Sequence, residues 1–186
     1  MRPHFTPFSS HLELAERYWS EIITSNSFVV DMTAGNGHDT LKLAQKNPAR
    51  LVAIDIQSSS IEKTKEKVKD YPAEVLIRDH SLYPDELDDE SVTLAVYNLG
   101  YLPGGDKTIT TLTNTTLISL NKMLDKLQKG GALSIMCYPG HEEGAIEQNA
   151  VLEWSSQLSK EKWMVVHTRF MNRKDSPSFL WVAKAL

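Results

Sequence analysis

The segment Phe28-Val29-Val30-Asp31-Met32-Thr33-Ala34-Gly35-Asn36-Gly37-His38-Asp39-Thr40 constrains the chain more than any other. Its apolar run reads as a buried strand over 27–33, its two glycines as a tight turn, and residues 38–46 as the helix that follows. A second strand over 50–55, built on Leu51-Val52-Ala53-Ile54, ends in Asp55. Glycines at 35 and 37 let a ligand approach the main chain, and an acid at the tip of the next strand accepts hydrogen bonds from a ribose diol. The pair predicts a site for an adenosine-containing cofactor. A plain strand-to-helix turn would leave Asp55 without a purpose.

A dinucleotide fingerprint, Gly-x-Gly-x-x-Gly, rests a pyrophosphate on the helix amino terminus. Here the order is Asp-x-x-x-Gly-x-Gly, with Thr33 ahead of the glycine pair and Thr40 in the third glycine's place. Asp31 at the strand end would repel a pyrophosphate but suits a ligand bearing an ammonium and a sulfonium. S-adenosylmethionine is therefore expected rather than NAD. Asp31, Gly35, Asn36 and Gly37 would surround its methionyl part and Asp55 would take the ribose hydroxyls. Ile56 and Gln57 would flank the adenine, with Asp79 and His80 at its amino edge. Asp39, beside His38, is read as serving the helix dipole without touching a ligand.

With 186 residues, 41% of them hydrophobic, the chain can bury one sizeable core, so 1–186 is read as a single domain opening with a helical segment over 1–25. The lone Cys137 excludes a disulfide framework and a cysteine-rich zinc site, and its place in Leu133-Ser134-Ile135-Met136-Cys137 reads as structural. The histidines show no metal-ligand spacing, so no metal is expected. No Gly-x-Ser-x-Gly elbow occurs, which argues against a hydrolase. The opening Met1-Arg2-Pro3-His4-Phe5-Thr6-Pro7 lacks the apolar core of a signal peptide, and no later run spans a bilayer, so a soluble cytoplasmic protein without membrane contact is expected. A net charge of −4 confines any nucleic-acid contact to local patches, for which Lys107, Arg169, Arg173 and Lys174 are the candidates.

Along the chain, strand and helix patterns alternate in the βαβ manner. Residues 9–24 place Leu12, Ala15, Trp19, Ile22 and Ile23 on one helical face. Further strands are expected at 74–78, 91–97 and 132–137, running into Asp79-His80, Asn98 and Tyr138, with helices at 113–128 and 143–158. Ser59-Ser60-Ile61-Glu62 reads as a capping box opening a charged helix, and Lys129-Gly130-Gly131 as the stop of the helix over 113–128. Segments 163–171 and 178–184 read as a hairpin. Five strand-helix units closed by a hairpin describe an α/β, Rossmann-like class I methyltransferase fold: a seven-stranded, mostly parallel sheet with an antiparallel last strand and helices on both faces. An exposed sheet edge or the first helix offers a surface for a homodimer.

Ligands of such sheets bind beyond the strand carboxyl ends. There the chain carries Tyr97-Asn98-Leu99-Gly100-Tyr101-Leu102-Pro103-Gly104-Gly105-Asp106-Lys107. Amino-methylating enzymes of this fold place Asn/Asp-Pro-Pro-Tyr/Phe at this point, where a side-chain carbonyl aims the attacking amine and a ring stacks on a base. Asn98 and Tyr101 keep the first and last members, while both prolines are replaced. The bland alternative is a strand-end turn beside a packed tyrosine. Gly104-Gly105-Asp106-Lys107 reads either as a phosphate cradle or as a flexible turn.

Asp31 through Thr40, Asp55-Ile56-Gln57, Asn98 through Lys107 and Tyr138-Pro139-Gly140-His141-Glu142-Glu143-Gly144 together resemble a group of bacterial class I methyltransferases labelled rRNA methylases. The studied members of that group methylate the aminomethyl group on the wobble uridine of tRNA. The likeness runs from about residue 27 to the carboxyl terminus, with Pro139 and Ser176-Pro177-Ser178-Phe179 departing from the pattern. It implies an S-adenosylmethionine-dependent N-methyltransferase acting on 5-aminomethyl-(2-thio)uridine in the anticodon stem-loop of tRNA. In that reading Asn98 orients the amine, Tyr101 packs on the uridine, and His141 assists proton removal or holds the substrate loop. Tyr138, Gly104, Gly105, Asp106 and Lys107 would meet the substrate. Three alternatives stay open: methylation of an rRNA base or other exocyclic amine, an NAD-linked oxidoreductase, and a noncatalytic RNA-binding protein with a vestigial cofactor fold.

Overall fold

The computed structural model describes residues 10–106 and 108–186. The elements run α1 (His11–Ile22), β1 (Phe28–Asp31), α2 (His38–Ala44), β2 (Arg50–Asp55), α3 (Ser58–Lys67), β3 (Ala73–Ile77) and β4 (Val92–Asn98). They continue with α4 (Thr113–Lys126), β5 (Leu127–Cys137), α5 (Glu142–Ser156), β6 (Trp163–Arg169) and β7 (Ser178–Lys184). Among the described residues the strands form one seven-stranded sheet in the order β3-β2-β1-β4-β5-β7-β6. β1 to β5 pair in parallel, and β7 enters antiparallel between β5 and β6. The expected architecture is therefore the one found, down to the terminal hairpin.

Strand periodicity sorts the core into two layers. Val30, Val52, Ile54, Ala95, Tyr97, Leu133 and Ile135 face Leu120 and Met123 of α4 and Val151 of α5. Their neighbours Val29, Leu51, Ala53, Leu94, Val96 and Ala132 face Ala15 and Trp19 of α1, Leu43 of α2 and Ile61 of α3. Because both faces are covered, the central strands are mostly apolar, with Thr93 and Ser134 buried among them. Ser10 caps α1 by accepting the Glu13 N–H at 3.1 Å, and Trp19 pins that helix to the sheet by donating to Ser134 Oγ at 2.8 Å.

Two sequence expectations are corrected. Ser59 does not cap α3, because the helix already opens at Ser58 behind Gln57, and no side chain caps it. Asp55 Oδ1 instead takes the Gln57 N–H at 2.8 Å, fixing the chain one turn earlier. Gly130 and Gly131 do not end α4 either. That helix stops at Lys126 and β5 begins at once, with Gly130 (φ 73°) inside the strand where the register against β4 shifts between Val92 and Leu94. A bulge takes up the residues that sequence reasoning assigns to a helix stop.

The order 3-2-1-4-5 places the topological switch between β1 and β4. Connections leave these two strands toward opposite faces, which opens a crevice beyond their carboxyl ends. Asp31, Asp55 and Asn98 end β1, β2 and β4 on that edge.

Candidate active site at the strand carboxyl ends

A cleft of about 770 Å³ occupies the switch point. On one wall lie Gly35, Asn36, Asp55, Ile56 and Gln57, with Asp79 and His80 beyond β3; on the other lie Asn98, Tyr101, Tyr138 and His141. The structure thus brings both groups of predicted residues to a single cavity.

The first wall is a turn held by carboxylates. Gly35 (φ 53°) donates its N–H to Asp55 Oδ2 at 2.9 Å, so Asp55 ties the β1 turn to β2 while two of its lone-pair sites stay open. Gly37 (φ 73°) precedes α2 in the left-handed region, and a Cβ there would stand 2.8 Å from Thr64 Cα of α3. Close packing of α2 on α3, rather than room for a ligand, demands that glycine. Asp31 also differs from expectation: it is fully buried beneath the turn and does not line the cleft. Its Oδ2 accepts the Thr40 hydroxyl at 2.6 Å and its Oδ1 the Thr33 N–H at 3.2 Å. Burial pushes this carboxyl up to about 7 against the pull of those two bonds. Asp31 therefore shapes the turn, and the carboxylates facing the cleft are Asp39, Asp55, Asp79 and Asp175.

Asn36 links the two walls. Its Nδ2 donates to the Pro103 carbonyl at 3.1 Å, and its Oδ1 accepts from Lys63. At the far edge Asp79 Oδ1 takes both the N–H and the hydroxyl of Ser81 at 2.8 Å. Partial burial raises the Asp79 carboxyl, but these two bonds outweigh it and hold the group below the usual range. Burial lowers the His80 imidazole despite the neighbouring Asp79 and Asp55 charges. Ile56, 58% exposed, offers an apolar wall beside Gln57.

The second wall is the loop from Asn98 to Thr113. Asn98 donates its main-chain N–H to Thr33 Oγ1 at 2.7 Å and its Nδ2 to Asp39 Oδ2 at 2.8 Å. The Tyr138 ring stands beside the same amide, and burial followed by the Asp39 charge pushes its hydroxyl up to about 12. Gly100 donates to Thr111 Oγ1, which donates in turn to Glu147 Oε2 at 2.7 Å, while Thr116 donates to Glu147 Oε1 at 2.6 Å. Glu143 takes the N–H and hydroxyl of Thr113, both at 2.9 Å. Two carboxylates of α5 thereby anchor the loop.

His141 is the amino-terminal cap of α5: its Nδ1 accepts the Gly144 N–H at 3.1 Å. With Nδ1 accepting, the ring proton sits on Nε2, which among the described residues is buried without a partner. The ring lies 5.2 Å from that of Tyr101 and tilted 56° to it, so the cap also supports the tyrosine. Gly104, Gly105 and Asp106 lie outside the cleft on an exposed turn, where Asp106 Oδ1 takes the N–H and hydroxyl of Thr108. Lys107 lies outside the described residues. Sequence reasoning missed Thr33, Asp39, Thr111 and Glu147. Only Asp39 left a trace, as an acid one position into a helix that opens at a ligand turn.

Among the described residues, no group of three or more His, Cys, Asp or Glu could hold a metal ion, and no helix is long and apolar enough to cross a membrane.

This sheet order, with its inserted antiparallel strand and a cleft at the β1/β4 switch, is that of the class I, S-adenosylmethionine-dependent methyltransferases. Residues 51–184 match the family described as "Putative rRNA methylase", and the chain belongs to that family. A chloroplastic tRNA (mnm(5)s(2)U34)-methyltransferase of Arabidopsis thaliana is 32% identical over 192 residues, spanning 92% of this chain and 68% of the relative. The crystal structure of a "putative rRNA-methylase" from Clostridium thermocellum superimposes with a TM-score of 0.89 at 30% identity, covering 95% of this chain and 98% of the other. The crystal structure of "a putative methyltransferase" from Streptococcus mutans in complex with SAH gives a TM-score of 0.87 at 29% identity, covering 95% of this chain and 99% of the other.

Proposed function

We propose that the protein transfers a methyl group from S-adenosylmethionine to the amine of 5-aminomethyl-(2-thio)uridine at the wobble position of tRNA. The observation that carries this reading is that the Asn98 amide lines the same cleft as Asp55 and the Gly35 turn. The chloroplastic relative, named for methylation at that tRNA position, supports the choice of substrate.

The residues present fit the cofactor. Asp55 keeps acceptor sites for ribose hydroxyls, Ile56 and Gln57 could flank an adenine, and Gly35 and Asn36 line the cleft where the methionyl part would be held. S-adenosylmethionine, when bound, supplies an electrophilic methyl group on a positively charged sulfur. What the chain must add is alignment of the nucleophile. An alkyl ammonium has an unperturbed pKa of roughly 10 and no lone pair, so exclusion of water has to favour the neutral amine. Asn98 then accepts an amine hydrogen and aims the lone pair, Tyr101 packs on the uridine, and His141 holds the loop through its cap and its contact with Tyr101. Arg169, Arg173 and Lys174 belong to the terminal hairpin, whose Asp175 reaches the cleft edge, and they supply cations for the RNA backbone.

Purified protein and S-adenosylmethionine are incubated with unmodified tRNA, aminomethylated tRNA and rRNA, and the digested nucleosides are weighed by mass spectrometry. A mass gain of one methyl on the aminomethyluridine alone is expected. Methylation of rRNA only, or of no RNA, would overturn the reading.

A further inference from the structure

We propose that Asp39 is a positioning residue for methyl transfer: its carboxylate fixes which end of the Asn98 amide faces the acceptor amine. Such a role presupposes that Asn98 orients the amine, as above. An asparagine amide can present its oxygen or its NH2 from almost the same volume. Only the oxygen can take a hydrogen bond from a neutral amine and leave the amine lone pair free for the methyl carbon.

The main chain does not make this choice. The bond from the Asn98 N–H to Thr33 Oγ1 fixes the backbone and leaves the terminal torsion open. Asp39 does make it. Its Oδ2 stands 2.8 Å from Asn98 Nδ2, and an ionised carboxylate only accepts, so the amide must turn its nitrogen toward Asp39 and its oxygen away. Asp39 is 8% exposed, which limits competition from water, and it lines the cleft beside Asn98. Burial raises the Asp39 carboxyl above its ordinary value, against the pull of the Asn98 amide and the Lys42 ammonium. The Tyr138 hydroxyl oxygen, next to the same amide, can take the second Nδ2 hydrogen and so leaves Oδ1 to the substrate.

The test compares Asp39→Ala, Asp39→Asn, Asn98→Ala, Asn98→Asp and the exchange Asp39→Asn/Asn98→Asp with the wild type. Each is assayed for kcat and KM on aminomethylated tRNA and, by calorimetry, for S-adenosylmethionine affinity. Asp39→Ala is expected to lower kcat about 100-fold while the cofactor Kd stays within about threefold, since misaligned reactants cost rate rather than binding. Asp39→Asn leaves an amide pair that can form either way round, so a smaller loss of about tenfold is expected. Asn98→Asp sets two carboxylates against each other and should be poorly active. The exchange restores one donor and one fixed acceptor and should recover activity above that single variant. If Asp39→Ala keeps wild-type kcat while Asn98→Ala loses it, the positioning role falls and the Asn98 reading stands. If Asn98→Ala is itself fully active, that reading falls first. Should Asp39→Ala fail to fold, an exchange variant no better than Asn98→Asp overturns the proposal on its own.

Discussion

The cofactor wall of the cleft is assembled from one strand-turn-helix-strand unit, whereas the acceptor wall is held by side chains drawn from distant parts of the chain. Asp31 is bonded to Thr33 and Thr40, two and nine positions away, and Asp55 to Gly35 and Gln57, so the turn folds on itself. On the other wall Thr111 reaches Glu147 across 36 positions, and Asn98 reaches Asp39 across 59 and Thr33 across 65. Bonds between near neighbours in the chain hold the first wall, and side-chain bonds across long sequence separations hold the second. The acceptor wall is therefore the one that single side-chain changes should loosen.

Four substitutions sharpen or break that contrast. Asn98→Ala is expected to lower kcat by about 100-fold through loss of alignment, with little change in the calorimetric affinity for S-adenosylmethionine. Equal loss of both would mean that the two walls are not separable. Glu147→Ala removes the shared acceptor of Thr111 and Thr116 from a buried position and should cost about 1–3 kcal/mol in chemical denaturation. It should raise KM for tRNA more than for the cofactor, and Glu147→Gln should do less on both counts. Gly37→Ala combines a left-handed φ with a Cβ pressed on the α3 backbone, so a loss of more than about 1 kcal/mol is expected, visible as a lower melting temperature.

The remaining prediction concerns Asp31 and is read from the pH dependence of stability. Its folded-state pKa, about 7, lies above that of the unfolded chain, so the folded protein keeps a proton that the unfolded chain loses as pH rises from about 4. Stability from this group is fully present below that range and is lost as pH rises to about 7. The difference in unfolding free energy between wild type and Asp31→Asn should accordingly decline from about pH 4 to about pH 7 and stay level above. A flat difference curve would show that Asp31 titrates normally.

The same contrast explains what the sequence discloses. The glycine turn, Asp55 at a strand tip and the succession of strands and helices follow from patterns a few residues long, and the structure places them there. Asn98 and Tyr101 are legible because they sit at a strand end, but their partners are not, since nothing in Thr111 or Glu147 marks them as neighbours before α5 packs on α4. Asp31 has the right place and a different role. At a strand end it looks like a ligand group, yet it is buried beneath the turn, bonded to Thr40 and the Thr33 N–H, and does not reach the cleft. Asp39 shows the reverse. Its position at a helix start suggests only a dipole partner, and the contact with Asn98 exists because β1 and β4 are neighbours in the sheet.

The most direct test of a cleft shared by cofactor and acceptor residues is a crystal structure of the protein with S-adenosylhomocysteine. The ribose hydroxyls are expected on the Asp55 carboxylate, with the sulfur turned toward Asn98. A ribose bound elsewhere, or a sulfur facing away from the β4 tip, would contradict it.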